Sequence, residues 1–269
     1  MAQIFTQILF QEPSPIFIKV MIVMNLIISA ILGISEATGK QNVEYSKFWN
    51  VNNQKQVKAK IPSKMGMIFV YSPSLIACLS FFWIFPTGGI RFFMLNSAMT
   101  VHFFKRVLEV LFVHKYSGGM VLGSVLLISS LYFSLAVVIV FTQHLTLGYT
   151  EPEVDMKYIG LLIFLVGICG NFYHHYLLSK LRDQREKGYK IPQGGLFSVV
   201  ICPHYLFEIL GFIGISFISQ TSFSFSSAVG VTLYLVGRSY VTRKWYLSKF
   251  ENFPKNGKGS DSICFLEKE

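Results

Sequence analysis

Residues 120–142 read MVLGSVLLISSLYFSLAVVIVFT and contain no charged side chain. A helix needs about 20 mostly apolar residues to cross the hydrocarbon core of a membrane, so this stretch predicts a transmembrane helix. Comparable runs occur along the whole chain. The predicted spans are 15–34, 66–86, 91–113, 120–142, 158–179, 197–218 and 223–240. We therefore predict an all-α membrane protein built as a bundle of seven transmembrane helices.

The overall composition favours a membrane protein over a soluble one. Apolar residues make up 52% of the 269 residues and charged residues 14%, whereas soluble domains carry about 25% charged residues. The mean hydropathy is +0.49. A soluble chain of this size could not bury so much apolar surface. The four cysteines are far apart in sequence and match neither a disulfide framework nor a zinc motif.

The charges between the spans predict an orientation. Segments 35–65 and 180–190 are rich in lysine and arginine, whereas 143–157 is mainly acidic. Seven spans place both basic segments and the C-terminal tail on one side, which the positive-inside rule assigns to the cytosol. The net charge of +10 is divided among separate loops without an aromatic-basic module, so we expect no nucleic-acid partner. The sequence shows no obligate protein partner.

Four polar residues interrupt the third span. His102, Lys105, Arg106 and Glu109 lie at helical spacing and share one face, which must point inward to avoid lipid. This face predicts either the polar wall of a cofactor site or an internal salt bridge that holds the bundle together.

A second polar stripe runs along the fifth span to its basic end. It consists of Asn171, His174, His175 and Arg182, and these side chains could bind a ribose or a phosphate. Adjacent histidines point about 100° apart on a helix, whereas helical metal sites use pairs four residues apart. We therefore predict no metal site.

The third polar region spans residues 189–208. Its Pro192–Gly195 turn predicts either a simple hinge or exposed backbone N–H groups near a phosphate. His204 and Glu208 follow on one helical face, where we expect them to bond to each other or to a ligand. No Rossmann, P-loop or nucleophile-elbow motif is present, so a nucleotide would bind in an internal cavity lined by several helices.

Four blocks of this sequence resemble a known family. GNFYHHYLLSKLR (170–182), YKIPQGGLFSVVICPHYLFEILG (189–211) and GRSYVTRKWYLSKFENFPK (237–255) resemble the C-terminal domain of steroid 5-alpha-reductases in order and spacing. VHFFKRVLEVLFVHKYSGGM (101–120) resembles the very-long-chain enoyl-CoA reductase branch. The first 90 residues match only loosely. The resemblance implies one membrane domain over 1–269, of which 115–269 contains most of the cofactor site.

The resemblance also implies a reaction and a set of site residues. NADPH would reduce a carbon–carbon double bond conjugated to a carbonyl in a steroid or other lipid, in the endoplasmic reticulum membrane. The polar face of the third span would supply Arg106 to the cofactor and His102 to catalysis. The remaining cofactor-binding positions implied by the family blocks are Asn171, His175, Arg182, Tyr189, His204, Glu208, Arg238 and Tyr246.

One position departs from the family pattern. The tyrosine that bonds the substrate carbonyl in the family falls on Phe103, which cannot donate a hydrogen bond. Its partner glutamate falls on Tyr71. Our hypothesis is that Tyr71 supplies the catalytic phenol from the neighbouring helix.

The sequence leaves other functions open. An enoyl-CoA reductase and a polyprenol reductase are alternatives within the same chemistry. A non-catalytic lipid-binding protein is an alternative from another class, and the change at Phe103 is its best support. The related isoprenylcysteine methyltransferases would bind S-adenosylmethionine in place of NADPH.

Overall fold

The computed structural model describes residues 6–11, 15–38, 60–116, 118–181, 190–251 and 253. Within this part of the chain, seven helices of 17 residues or more follow one another, and each lies on one predicted span. They are α1 (Ile16–Thr38), α2 (Ser63–Ile84), α3 (Gly89–Leu108), α4 (Leu122–His144), α5 (Lys157–Lys180), α6 (Pro203–Ser219) and α7 (Ser222–Lys249).

Four of these helices are long and apolar enough to cross a membrane, namely α1, α2, α4 and α5. Helix α6 is apolar but shorter. Large apolar side chains such as Ile16 (82% exposed) and Trp83 (87% exposed) point outward. Exposed apolar surface of this extent is expected where lipid surrounds the protein, and it supports the prediction of an all-α membrane protein.

Three short elements were not predicted. Helix α3 continues into a π-helical turn, Glu109–Val113, and a 3₁₀ turn, Gly195–Ser198, precedes α6. Strands β1 (Lys60–Pro62) and β2 (Gly119–Val121) form an antiparallel pair. Elements of three to five residues are too short to produce a recognisable hydropathy period.

Two helix boundaries show the largest differences from the predicted spans. The sixth helix begins at Pro203 instead of near 197, because proline is favoured in the first turn and Cys202 before it is not helical. The seventh continues to Lys249, beyond the predicted 240. Hydropathy predicts only the apolar part of a helix, so the predicted span does not include the polar last turns of α7.

Glycines allow the closest helix pairs to touch. A Cβ on Gly167 of α5 would lie 2.4 Å from the backbone nitrogen of Gly211 on α6. A Cβ on Gly237 of α7 would lie 2.4 Å from the carbonyl oxygen of Gly33 on α1. Small residues of this kind bring membrane helices into backbone contact. They define two tight pairs, α5 with α6 and α1 with α7.

Successive connections between the helices lie at opposite ends of the bundle. At one end, β1 pairs with β2, and Lys64 donates to the Leu111 carbonyl at 2.9 Å. At the other end, Arg91 bonds to Asp155 in the α4–α5 connection and to Gln220 in the α6–α7 connection. The alternation agrees with the separation of basic and acidic connections that the sequence predicts.

A cavity of about 350 Å³ lies between α1, α2, α4, α6 and α7. Most of its lining is apolar, for example Met24, Leu131 and Phe212. Its polar lining includes Tyr71, Glu208 and Asn25. The structure therefore contains an internal space with a predominantly lipid-like wall.

Candidate active site

The charged centre of the molecule is Glu109, at the start of the π-helical turn. Its side chain is fully buried. One carboxylate oxygen accepts from Lys105 Nζ at 3.1 Å and the other accepts from Arg106 Nη1 at 3.0 Å. The internal salt bridge considered for the third span is thus present. A π-helical turn inside a helix is a frequent feature of functional sites.

His175 joins this centre from α5. Its Nδ1 lies 3.0 Å from Glu109 Oε1 and 3.2 Å from Arg106 Nη1. A guanidinium can only donate, so an unprotonated Nδ1 suits Arg106, whereas a protonated Nδ1 suits Glu109. The structure therefore brings the polar faces of the third and fifth predicted spans together.

Asn171 connects three helices one turn earlier on α5. Its Oδ1 accepts from Lys105 of α3, and its Nδ2 donates to the His204 carbonyl on α6 at 2.7 Å. The same Nδ2 lies 3.5 Å from Glu208 Oε2. Glu208, which the sequence pairs with His204 or a ligand, thus contacts Asn171 and also lines the cavity.

Tyr71 lies where the charged network meets the cavity. Arg106 Nη2 donates to the Tyr71 hydroxyl, and the guanidinium carbon lies 4.7 Å from the centre of the Tyr71 ring. Tyr132 packs against Tyr71 with ring centroids 5.4 Å apart, and both tyrosines line the cavity. A phenol from α2 therefore reaches the network, as the sequence hypothesis requires.

Phe103 and His102 pack beside this point. Phe103 is completely buried and contacts Tyr132, with ring centroids 6.0 Å apart. The His102 ring packs against Phe103 at 5.0 Å and Phe212 at 5.2 Å. Among the described residues, His102 Nε2 has no hydrogen-bond partner. His102 thus lies between the network and the cavity wall without joining the Glu109 ion pairs.

His204 and the Pro192–Gly195 turn lie at the basic end of the site. The His204 ring is 5.3 Å from that of His175. His174 Nε2 accepts from the backbone N–H of Leu196 at 3.1 Å. A Cβ on Gly195 would lie 2.7 Å from His174 Nε2. His174 therefore anchors the turn against α5, a role that its sequence position alone does not reveal.

His114 folds back over the network just beyond the π-helical turn. Its ring centroid is 4.8 Å from that of His175, and its Nδ1 is 2.9 Å from the Tyr116 hydroxyl. Burial, followed by the positive charges near His175 and Arg106, lowers the pKa of His114 to about 2. His114 is therefore a neutral partner that the sequence prediction missed.

The predicted cofactor residues of the C-terminal part do not all join the cluster. Arg238 Nη1 donates to Glu36 of α1 at 2.6 Å, and both side chains are buried. Tyr246 lies near the end of α7, where its ring stacks on Phe253 at 5.4 Å. Arg182 and Tyr189 lie outside the described residues.

Three ligand-type side chains come together in the described part of the chain. Atoms of Glu109, His114 and His175 lie within 4.8 Å of one another. The two Glu109 oxygens already accept from Lys105 and Arg106, whose positive charges disfavour an additional cation. The arrangement is best described as an ion-pair network, and the absence of a metal stays a prediction.

Known proteins share these sequence blocks. The profile of the family 3-oxo-5-alpha-steroid 4-dehydrogenase matches residues 127–259. A very-long-chain enoyl-CoA reductase of Dictyostelium discoideum is 30% identical over 239 residues, which cover 83% of this chain and 78% of that protein.

Two steroid reductases match a shorter region. A steroid 5-alpha-reductase of Gossypium hirsutum is 40% identical over 37% of this chain and 39% of its own length. The human 3-oxo-5-alpha-steroid 4-dehydrogenase 1 is 36% identical over 43% of this chain and 45% of its own length. The chain thus matches less than half the length of these two enzymes. The family profile and the long match to the Dictyostelium protein together show that the chain belongs to the steroid 5-alpha-reductase family, whose members are oxidoreductases acting on CH–CH groups.

Proposed function

We propose that this protein reduces a carbon–carbon double bond conjugated to a carbonyl in a lipid, with NADPH as the reductant. The observation that carries the proposal is the contact between Arg106 and Tyr71 at the wall of the apolar cavity. This contact joins a buried cationic network to a space that suits a lipid.

The residues around the network fit a phosphorylated dinucleotide. Lys105 and Arg106 are cationic, and Asn171 and His175 offer amide and imidazole groups to a ribose or a nicotinamide amide. His102 Nε2, without a partner among the described residues, is a further polar atom that a ligand could satisfy. The predicted contacts of Arg182, Tyr189, His204, Arg238 and Tyr246 remain part of the proposal.

Tyr71 activates the substrate in this proposal. NADPH, when bound, supplies the hydride that adds to the β carbon. Negative charge then develops on the carbonyl oxygen, and Tyr71 donates a hydrogen bond to that oxygen. The bond from Arg106 to the Tyr71 oxygen makes the phenol a stronger donor. A proton from water then adds to the α carbon of the enolate and completes the saturated product.

Glu109 acts as a positioning residue. Its carboxylate holds Lys105 and Arg106 in place through two ion pairs. Without it, the two adjacent cations of α3 would repel each other inside the bundle. The orientation of Arg106 toward Tyr71 therefore depends on Glu109.

A steroid or sterol is the first substrate class we propose, because the cavity of about 350 Å³ is mostly apolar. A very-long-chain enoyl-CoA is the second. The similarity to the Dictyostelium reductase over 83% of the chain favours it, and its thioester carbonyl would use the same phenol. A polyprenal-type substrate remains a third alternative.

The proposal includes the membrane arrangement. All seven helices cross the membrane of the endoplasmic reticulum as one domain, with the basic loops and the C-terminus in the cytosol. The alternating helix ends and the basic connections support this orientation. The cationic network then lies toward the cytosolic side, where NADPH is available.

Titration of the purified protein with NADPH in lipid nanodiscs tests the cofactor. Saturable binding at micromolar concentrations is expected, with weaker binding of NADH. If no binding occurs at tens of micromolar NADPH, the reductase proposal is wrong and a non-catalytic lipid-binding role is favoured. Binding of S-adenosylmethionine instead would indicate a methyltransferase.

Turnover tests the substrate class. Oxidation of NADPH is followed optically with a steroid enone and with a long-chain enoyl-CoA, and the saturated products are identified by mass spectrometry. Faster reduction of the enone supports the first class, whereas faster reduction of the thioester supports the second.

A further inference from the structure

The cavity has a second polar position, Asn25, on an otherwise apolar stretch of α1. Between Lys19 and Ser35, the only polar side chains of this helix are Asn25 and Ser29. Both line the cavity. A polar amide within a membrane helix is costly unless it has a partner or a function, so its bonding pattern is informative.

The amide nitrogen of Asn25 is held by α7. Nδ2 lies 3.1 Å from the Ser226 carbonyl oxygen and 3.5 Å from the Ser226 hydroxyl. Reversing the amide would place its oxygen against that carbonyl, so the neighbouring acceptor determines the orientation. Among the described residues, Asn25 Oδ1 has no hydrogen-bond partner. It is a free acceptor on a residue that lines the cavity.

Gly230 of α7 makes room for this arrangement. A Cβ at Gly230 would lie 2.6 Å from Ser29 Oγ and 3.2 Å from Asn25 Nδ2. A larger residue at this position would push the polar face of α1 away from α7. The position of Asn25 therefore depends on the absence of a side chain at Gly230.

Asn25 lies nearer than Glu208 to the connection between α6 and α7. The two-residue connection between α6 and α7 provides a common reference level. Ser226, which holds Asn25, is about 6 Å along α7 from that connection, and Glu208 is about 16 Å along α6 from it. The two polar positions are thus separated by about 10 Å along the bundle axis.

We propose that Asn25 is a specificity-determining residue whose amide oxygen accepts a hydrogen bond from a donor on the far end of the substrate. The inference rests on the proposed function, because the carbonyl of that substrate lies at Tyr71. The favoured ligand is a fused-ring lipid with a carbonyl at one end and a hydroxyl about 10 Å away, the separation of the two polar positions. An unmodified acyl chain offers no donor at this position.

Ligand binding without cofactor tests the inference independently of catalysis. The probes are a saturated fused-ring steroid ketone with a hydroxyl at the opposite end of its ring system, and the same ketone without that hydroxyl. Both Kd values are measured in nanodiscs by equilibrium binding of radiolabelled probes. The native protein is expected to bind the hydroxylated probe about five- to tenfold more tightly, the effect of one net hydrogen bond.

Asn25→Leu is expected to abolish this preference and to bind both probes alike. Asn96→Leu is the matched control, because Asn96 also donates its amide to the backbone of a neighbouring helix, at 3.0 Å from Cys78 O, without lining the cavity. It should keep the native ratio of the two Kd values. Gly230→Ala keeps the Asn25 amide but displaces it, and should reduce the preference for the hydroxylated probe. This variant replaces Asn25→Leu in the test if Asn25→Leu does not fold.

The outcomes separate this inference from the proposed function. Equal binding of both probes by the native protein, or an unchanged ratio in Asn25→Leu, overturns the role of Asn25 even if enone reduction is found. A preference that disappears only in the Asn25 and Gly230 variants supports that role even if NADPH turnover fails.

Discussion

Two buried arginines of α3 organise opposite ends of the molecule in different ways. Arg91 donates to the Ile218 carbonyl at 2.8 Å, to Gln220 Oε1 at 2.9 Å and to Asp155 at 2.7 Å. Ile218 belongs to the last turn of α6, and Gln220 and Asp155 belong to connections between helices. Gln220, in a left-handed conformation, also donates to the carbonyl of Ile8. Arg91 thus holds the α4–α5 and α6–α7 connections together by hydrogen bonds at its end of the bundle.

Arg106 bonds instead to side chains that can take part in chemistry. Its guanidinium contacts a carboxylate, an imidazole and a phenol, on Glu109, His175 and Tyr71. In both arginines, Nε has no partner among the described residues. Arg91 and Arg106 therefore differ in the groups that accept from their terminal nitrogens. Acceptors on loops indicate a structural role, whereas titratable acceptors beside a cavity indicate a reactive one.

Glu109→Gln is expected to have the largest effect on stability. It removes the buried carboxylate that pairs with both Lys105 and Arg106, and breaking such a pair costs about 3–5 kcal/mol. The free energy of unfolding in detergent, measured by denaturant titration, should fall by this amount. A decrease below about 1 kcal/mol would show that Glu109 is not the electrostatic centre of the network.

Tyr71→Phe should mainly affect turnover. Loss of one donor to a developing oxyanion reduces kcat by about 100-fold or more, while NADPH binding should be nearly unchanged. Tyr234→Phe, which removes a cavity phenol on α7, is the matched control and should retain most of the activity. Full turnover of the Tyr71 variant with a verified substrate would refute the hypothesis that Tyr71 replaces the family tyrosine.

Arg91→Met should reduce stability without changing the reaction. The loss of charged hydrogen bonds costs about 2 kcal/mol, less than for Glu109→Gln, because Glu151 is 53% exposed and can be solvated. The melting temperature should fall, whereas kcat per folded molecule and the Kd for NADPH should not change. An altered Kd would contradict the assignment of this end to structure alone.

Low pH should destabilise the fold at the end of the bundle that holds Arg106, because His114 is buried there. The pKa of this histidine is about 2 in the folded protein and near 6.5 when unfolded, so the unfolded state takes up more protons as the pH falls below 6.5. Unfolding free energy should therefore decrease by about 1 kcal/mol between pH 6.5 and 5.5. His114→Gln should remove this part of the slope, and an unchanged slope would refute the assignment.

Local periodicity made the helices predictable. Each of the seven apolar runs coincides with a helix, and the inward face of Lys105, Arg106 and Glu109 follows from helical spacing. The helical spacing of Asn171 and His175 predicts a second polar stripe, and the structure places both residues in the same network. The prediction that all seven helices cross a membrane remains open for α3, α6 and α7.

Partners distant in sequence were not predictable. The resemblance predicts Arg238 as a cofactor residue, and the structure adds a bond from Arg238 to Glu36, which is 202 positions away. Nothing local to either residue indicates the other, because the pairing depends on how closely Gly33 and Gly237 bring α1 and α7 together. The contact between the His114 and His175 rings is likewise not predictable, because it depends on the π-helical turn that precedes His114.

The amino-acid sequence by itself determined the helical class, the order of the apolar segments and the polar faces that must avoid lipid, because these follow from composition and period. The tertiary structure alone decided which polar faces meet. It placed Tyr71 rather than Phe103 against Arg106, and it placed Asn25 among the residues that line the cavity. Such meetings depend on helix contacts across the bundle, which no local pattern encodes.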